Sequence, residues 1–235
     1  MKKILAVLLV AVLAIGCFAL TACGGDATFG GNYEEATATE VKAFADSAAL
    51  AGGTNEVDYT QGYQLVAKMD MGQYGKYDMD IKFANDDDKG LVLQARMNMN
   101  VSGQSMNVNA YVVNNYLYAE MYGQKVRMYD DIITPTYTDL LEKLQSYNLS
   151  AIAENAMQNT AIKLGMVKDE DGTTKIKIDM PEETGADGTI ILVFNAQYNL
   201  VAMKFDIEMS TMKVNMELKP WGNKINLPNL DSYIG

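Results

Sequence analysis

The chain has 235 residues, 49% of them hydrophobic, with 19 basic and 30 acidic side chains and a net charge of -11. Those values suit one globular domain, or at most two, with a substantial core, and an acidic surface that disfavours nucleic acid and charge-driven adsorption to anionic lipid. The absence of histidine removes Ser-His-Asp and Cys-His catalysis, His-ligated zinc or haem, and any imidazole pH switch.

Lys2-Lys3, the apolar run Ile4 to Ile15 and the tetrad Leu20-Thr21-Ala22-Cys23 read as a charged region, a hydrophobic core and a small-residue cleavage site. The apolar run is too short for a good membrane span. Leu-Thr-Ala-Cys resembles the lipobox of bacterial lipoproteins. The resemblance implies cleavage after residue 22, diacylglyceryl attachment to Cys23, and a cell-membrane protein anchored by lipid on the extracytoplasmic face. Two acyl chains anchor stably where one is marginal. Loss of residues 1–22 takes Lys2 and Lys3 and no acid, so the charge moves from -11 to about -13. Cys17 is discarded and Cys23 acylated, so no free thiol or disulfide is expected in the mature chain.

Residues 23–36 read as the lipidated cysteine and a flexible tether, with Gly24 to Asn32 reaching roughly 15 to 18 Å. Residues 37–235 read as one domain. Thr37-Ala-Thr-Glu40 matches a capping box, followed by Val41, Phe44, Ala45 and Ala48 at helical spacing before Gly52-Gly53. From Val57 the period changes to two. Tyr63, Leu65, Ala67, Met69 and Met71 share one parity, and so do Tyr77, Met79, Ile81 and Phe83. Asp86-Asp87-Asp88 lacks the ligand spacing of a calcium loop and reads as a solvated turn.

Lys89 to Tyr129 reads as a meander. A turn at Gly103-Gln104 sets Met99 against Val108 and Met97 against Ala110; one at Asn114-Asn115 sets Val112 against Leu117 and Tyr111 against Tyr118. A third at Gly123-Gln124 sets Met121 against Val126, Glu120 against Arg127 and Tyr118 against Tyr129. All three turns place the same face in the core.

After Thr134-Pro135-Thr136, two helices are expected, over Tyr137 to Leu144 and Leu149 to Met157, with Ser150 as the second N-cap. A hairpin at Glu170-Asp171-Gly172 puts Met166 opposite Ile176 and Lys163 opposite Asp179. A turn at Ser210-Thr211 puts Phe205 opposite Met216 and Met203 opposite Leu218, with Lys204/Glu217 and Glu208/Lys213 as outer pairs. Pro220-Trp221-Gly222 closes the sheet and leaves an extended tail.

The expected class is α+β, with about eleven antiparallel strands around two or three helices. At about 4.8 Å per strand such a sheet is roughly 50 Å wide, more than three helices of about 10 Å can cover flat, so it is expected to curl into an open half-barrel. This order of elements from Tyr33 to Trp221, behind a lipobox, resembles the bacterial Lol lipoprotein-carrier family and the LppX-type lipid carriers. The resemblance implies an apolar cavity that takes lipid, acyl chains or a lipidated protein. It supplies no individual site residue.

Methionine supplies the candidate lining: Met97, Met99, Met106, Met121, Met128, Met203 and Met216, with Phe205, all on inward positions. Flexible thioethers adapt to acyl chains of variable shape, although the same stripe also suits a filled core. Tyr111, Tyr116, Tyr118, Tyr122 and Tyr129 fall on the polar side. The alternative function is therefore a surface interaction or sensor lipoprotein with a full core and a partner on that tyrosine face. Asp78, Asp80, Asp130-Asp131 and Glu182-Glu183 form no pair of acids in contrasting environments, so no catalytic or metal-binding residue, no cofactor and no enzymatic activity is expected.

Overall fold

The computed structural model describes residues 28–52, 62–101, 103–130, 149–181, 187–209, 212–222 and 224–234. The leader, Cys23 and the helix expected over Tyr137 to Leu144 lie outside the described residues. In chain order the elements are β1 (Glu34–Glu35), α1 (Ala38–Leu50), β2 (Tyr63–Asp70), β3 (Lys76–Asp86), β4 (Gly90–Val101), β5 (Gln104–Val113), β6 (Tyr116–Met121) and β7 (Gln124–Tyr129). They continue with α2 (Leu149–Gln158), β8 (Lys163–Lys168), β9 (Thr174–Met180), β10 (Asp187–Phe194), β11 (Leu200–Met209) and β12 (Met212–Pro220). The class is the expected one: α+β, with antiparallel strands. Among the described residues twelve strands stand where about eleven are expected, the addition being β1.

The chain divides into two compact units. One holds β2 to β7 and the C-terminal tail; the other holds β1, both helices and β8 onward to Lys219.

In the first unit β2 to β7 pair in chain order as a meander. The Asn114-Asn115 turn is where the sequence places it, with φ of 51° and 63° at the two residues, so Val112 faces Leu117 and Tyr111 faces Tyr118. The two glycine-bearing turns differ from expectation by one position. In the first, Val101 pairs with Gln104, and the other turn is Tyr122-Gly123, so Met99 faces Met106, Met97 faces Val108, Glu120 faces Lys125 and Tyr118 faces Arg127. Gly103 and Gly123, at φ of 78° and 73°, each take the second turn position; a type I′ turn needs positive φ there as well as at the first, whereas a type II′ turn puts its glycine first. The correction moves each register by two residues and leaves every inward side chain inward.

In the second unit the pairing order is β1-β8-β9-β10-β11-β12. Lys163 faces Asp179, Met166 faces Ile176, Phe205 faces Met216 and Met203 faces Leu218, all as expected. The outer pairs form too: Lys204 lies 3.1 Å from Glu217, and Lys213 is bonded to Glu208. Helix α1 starts on the expected capping box, with the Thr37 side chain accepting from the Glu40 backbone N–H and the Glu40 carboxylate accepting from the Thr37 N–H. Those hydrogen bonds to Thr37 hold the Glu40 carboxyl below its usual range. Val41 and Ala45 are buried, and Phe44 meets Phe194 edge-on at 5.2 Å. In α2 the helix already includes Leu149, so Ser150 sits inside its first turn.

The segment read as a tether is packed from Phe29 onward. Phe29 is buried with Ile191, Val193 and Ala202, on the face of β10 and β11 opposite Leu192 and Met203. A bulge makes this pocket: pairing shifts from Val193↔Ala202 to Phe194↔Leu200, so Val201 is left extra and packs against the same cluster. The Tyr33 hydroxyl donates to the Phe29 carbonyl at 2.7 Å, and Lys175 Nζ donates to the Gly30 carbonyl at 2.7 Å. Burial, helped by the Asp169 charge, pushes the Tyr33 phenol up to about 12.

Candidate ligand-binding face

The pairings of the first unit arrange its inward side chains in four cross-strand rows. The row farthest along β2 is Met69, Tyr77, Met99 and Met106. Next come Ala67, Met79, Met97, Val108 and Met121. The third row is small in its middle: Leu65, Ile81, Ala95, Ala110, Ala119 and Val126. The fourth is bulky, with Tyr63, Phe83, Leu93, Val112, Leu117 and Met128. Flexible thioethers therefore concentrate at one end of the face, rigid branched and aromatic groups at the other, and three alanines form a trough between them. None of the four rows carries Asp, Glu, Lys or Arg, so this surface offers dispersion and apolar burial and no acid-base chemistry.

Of the eight residues expected to line a cavity, Met97, Met99, Met203, Phe205 and Met216 are buried against protein atoms. Met106, Met121 and Met128 are half-buried at the margins of the face. The structure brings Met99 beside Met106, and Met97 onto the row of Met121, on one unit, while Phe205 and Met216 pair on the other unit. Met69, Met79 and the alanine trough belong to the same face and were missing from the expected lining. Their signal was present in the alternation of β2 and β3, but their register relative to β4 is a product of pairing.

The methionine end of the face meets three hairpin turns, because β2–β3, β4–β5 and β6–β7 all reverse there. The first turn is a short 3-10 stretch, Gly72–Tyr74, closed by a Met71 N–H to Gly75 carbonyl bond of 2.9 Å and braced by the Tyr77 hydroxyl donating to the Tyr74 carbonyl at 3.0 Å. Gly75 has φ of 113°, and a Cβ there would lie 2.5 Å from the Asn100 carbonyl oxygen. Gly75→Ala should therefore cost about 2 to 3 kcal/mol, from left-handed strain plus a backbone clash. A urea titration showing a change under about 0.5 kcal/mol would contradict that close approach.

The opposite face of the meander, expected to present tyrosines to solvent, is covered in part by the chain's own tail, while Tyr122 and Tyr129 stay exposed. The Trp221 N–H donates to the Gly62 carbonyl at 2.9 Å, and Lys82 Nζ lies 4.7 Å from the Trp221 ring centroid. Twelve residues later Tyr233 is buried edge-on against Tyr118, at 5.7 Å between centroids, with Lys125 Nζ 5.3 Å from its ring. Ile234 then bridges to the β7 edge, its carbonyl accepting from the Arg127 N–H at 2.9 Å. The tail thus crosses from β2 to β7, about 24 Å at ordinary strand spacing, on the outward side. Burial, with the charges of Glu120 and Tyr111, raises the Tyr233 phenol above its ordinary range. Arg127 stacks 4.1 Å from Tyr116, whose ring meets Tyr129 edge-on. These contacts are cross-strand packing first.

Among the described residues no cluster of three or more His, Cys, Asp or Glu side chains is placed to hold a metal ion, and no helix is long and apolar enough to cross a membrane. No family model matches the chain. No curated protein matches it either. Among solved structures it is similar to LprF from Mycobacterium bovis, with 17% identity and a TM-score of 0.37, over 81% of this chain and 97% of that one.

Proposed function

We propose that this chain is a membrane-anchored lipoprotein that binds or carries lipid, acyl chains or a lipidated protein in an apolar half-barrel hollow, held to the extracytoplasmic face of the cell membrane through acylated Cys23 and performing no covalent chemistry. The observation that carries this reading is the gradient on the β2–β7 face: charge-free rows, with methionines gathered at one end beside a row of alanines. Met106 and Met121 are its accessible members, and Met97 and Met99 lie behind them. An acyl chain entering past the first two reaches the others by displacing what covers them, and thioethers repack at low cost. The lipobox and the resemblance to lipid carriers support the same role. A partner on the tyrosine face is favoured less, because Tyr233 already covers Tyr118 there.

Native mass spectrometry of the chain purified from a bacterial host should find bound lipid, and a fluorescent fatty acid should bind and be displaced by unlabelled lipid. Met106→Lys with Met121→Lys, at half-buried positions, should keep the fold and weaken binding by about tenfold or more. Protein that is always empty and ignores the probe would overturn the carrier reading.

A further inference from the structure

The three hairpin turns at the methionine end form a surface unlike the rest of this acidic chain. Residues 71–75, 101–104 and 121–124 contain no charged side chain, although the Asp70–Lys76 ion pair stands at the base of the first; at the other end the β3–β4 turn carries Asp86, Asp87, Asp88 and Lys89, and the Asn114-Asn115 turn is neutral. The three turns at the methionine end also hold its exposed apolar groups: Tyr74 is 64% exposed, Val101 40% and Tyr122 73%. The first two turns touch, since Gly75 approaches Val101 closely.

Tyr122 is held there against its own backbone preference. Its φ is 51°, a left-handed conformation that is uncommon for a bulky residue. The turn at the opposite end builds a similar pair of positive-φ positions from Asn114 and Asn115, the residue type that tolerates it. A tyrosine at the first position, with its side chain mostly in solvent, therefore carries a conformational cost. The β6–β7 tip stands behind the other two, since Met121 pairs on the row of Val108 while β4 and β5 run on to Val101 and Gln104. Uncharged tips bearing exposed tyrosines suit one partner in particular. At the boundary between lipid headgroups and acyl chains, a tyrosine buries its ring and keeps its hydroxyl wet. An uncharged rim also avoids the repulsion that the rest of a strongly acidic protein would meet at an anionic surface.

We infer that the Tyr74, Val101 and Tyr122 turns dock this unit into a lipid bilayer, and that the docked edge is the one through which an acyl chain passes between the membrane and Met106 and Met121. The second half of the inference rests on the lipid-carrying reading; the docking itself does not. Tyr74→Trp and Tyr122→Trp in the full chain, reconstituted into vesicles containing brominated phosphatidylcholine, place a reporter at each tip. After subtraction of the Trp221 signal, each should shift to shorter wavelength and lose about half of its emission. Tyr129→Trp, 62% exposed at the other end of β7, should behave as in unbrominated vesicles. Tip reporters quenched no more than Tyr129→Trp would overturn the docking, even in a chain that takes up fatty acid from water. Quenched tips in a chain that never binds fatty acid would leave the docking standing and overturn the lipid passage.

Discussion

Met97→Lys should lower the unfolding free energy by roughly 3 to 5 kcal/mol, because it places an unpaired ammonium among apolar side chains. Met97 is 2% exposed, between Met79 and Val108 on its row, and no acid lies on that row to pair with the new charge. Asn98→Lys, one residue along and exposed on the other face, should change stability by about 0.5 kcal/mol or less. Equal urea midpoints for the two variants would mean that β4 does not divide its faces as described. A loss near 1 kcal/mol for Met97→Lys would instead mean that the covering atoms move aside readily, which would place Met97 itself in the ligand path.

Asp169→Ala and Lys175→Met should differ in size although they break the same ion pair. Lys175 Nζ is buried, 2.9 Å from Asp169 and 2.7 Å from the Gly30 carbonyl. Removing the acid leaves a buried ammonium without this counter-charge, at about 2 to 3 kcal/mol; the 37% exposure of the Asp169 side chain puts this below the range for fully buried pairs, since water takes part of its place. Removing the lysine removes the charge that needs compensation, so Lys175→Met should cost about 1 kcal/mol or less if its stem volume is kept. The double variant should resemble Lys175→Met. A loss for Lys175→Met as large as that for Asp169→Ala would show that the bond to Gly30, which clasps the segment around Phe29, matters more than the pair. Protease cleavage between Thr28 and Tyr33 would then rise in the same variant.

Much of the candidate face was legible in alternation alone. The parity of Met97, Met99, Val108 and Ala110 assigns them to one side whatever the register, and the structure keeps them there. The register was less secure for the same reason. With a side-chain period of two, a one-residue slip inverts the faces and is easily rejected, whereas a two-residue slip preserves them. The glycine turns slipped by that undetectable amount, while the Asn114-Asn115 turn did not, because neither residue offers an alternative position for positive φ. The β8–β9 and β11–β12 hairpins keep their expected registers, with Lys163 opposite Asp179 and Lys204 opposite Glu217. In the β6–β7 hairpin charge does not discriminate, because Glu120 meets a basic residue in either register, Arg127 in the expected one and Lys125 in the observed one.

By itself the sequence determined the antiparallel α+β class, the capping box of α1, which face of each strand is apolar, and the charge-free character of the methionine rows. These follow from local rules: periodicity, capping chemistry and turn preference act within a few residues. Only the tertiary structure decided that Phe29 closes a small second core over a bulge in β10–β11, that Tyr233 covers Tyr118, and that three neutral turns share one end of the β2–β7 meander with Met106 and Met121. Each of these joins segments far apart in the chain. Such contacts depend on the summed burial of apolar surface from both sides, and neither segment carries that information alone.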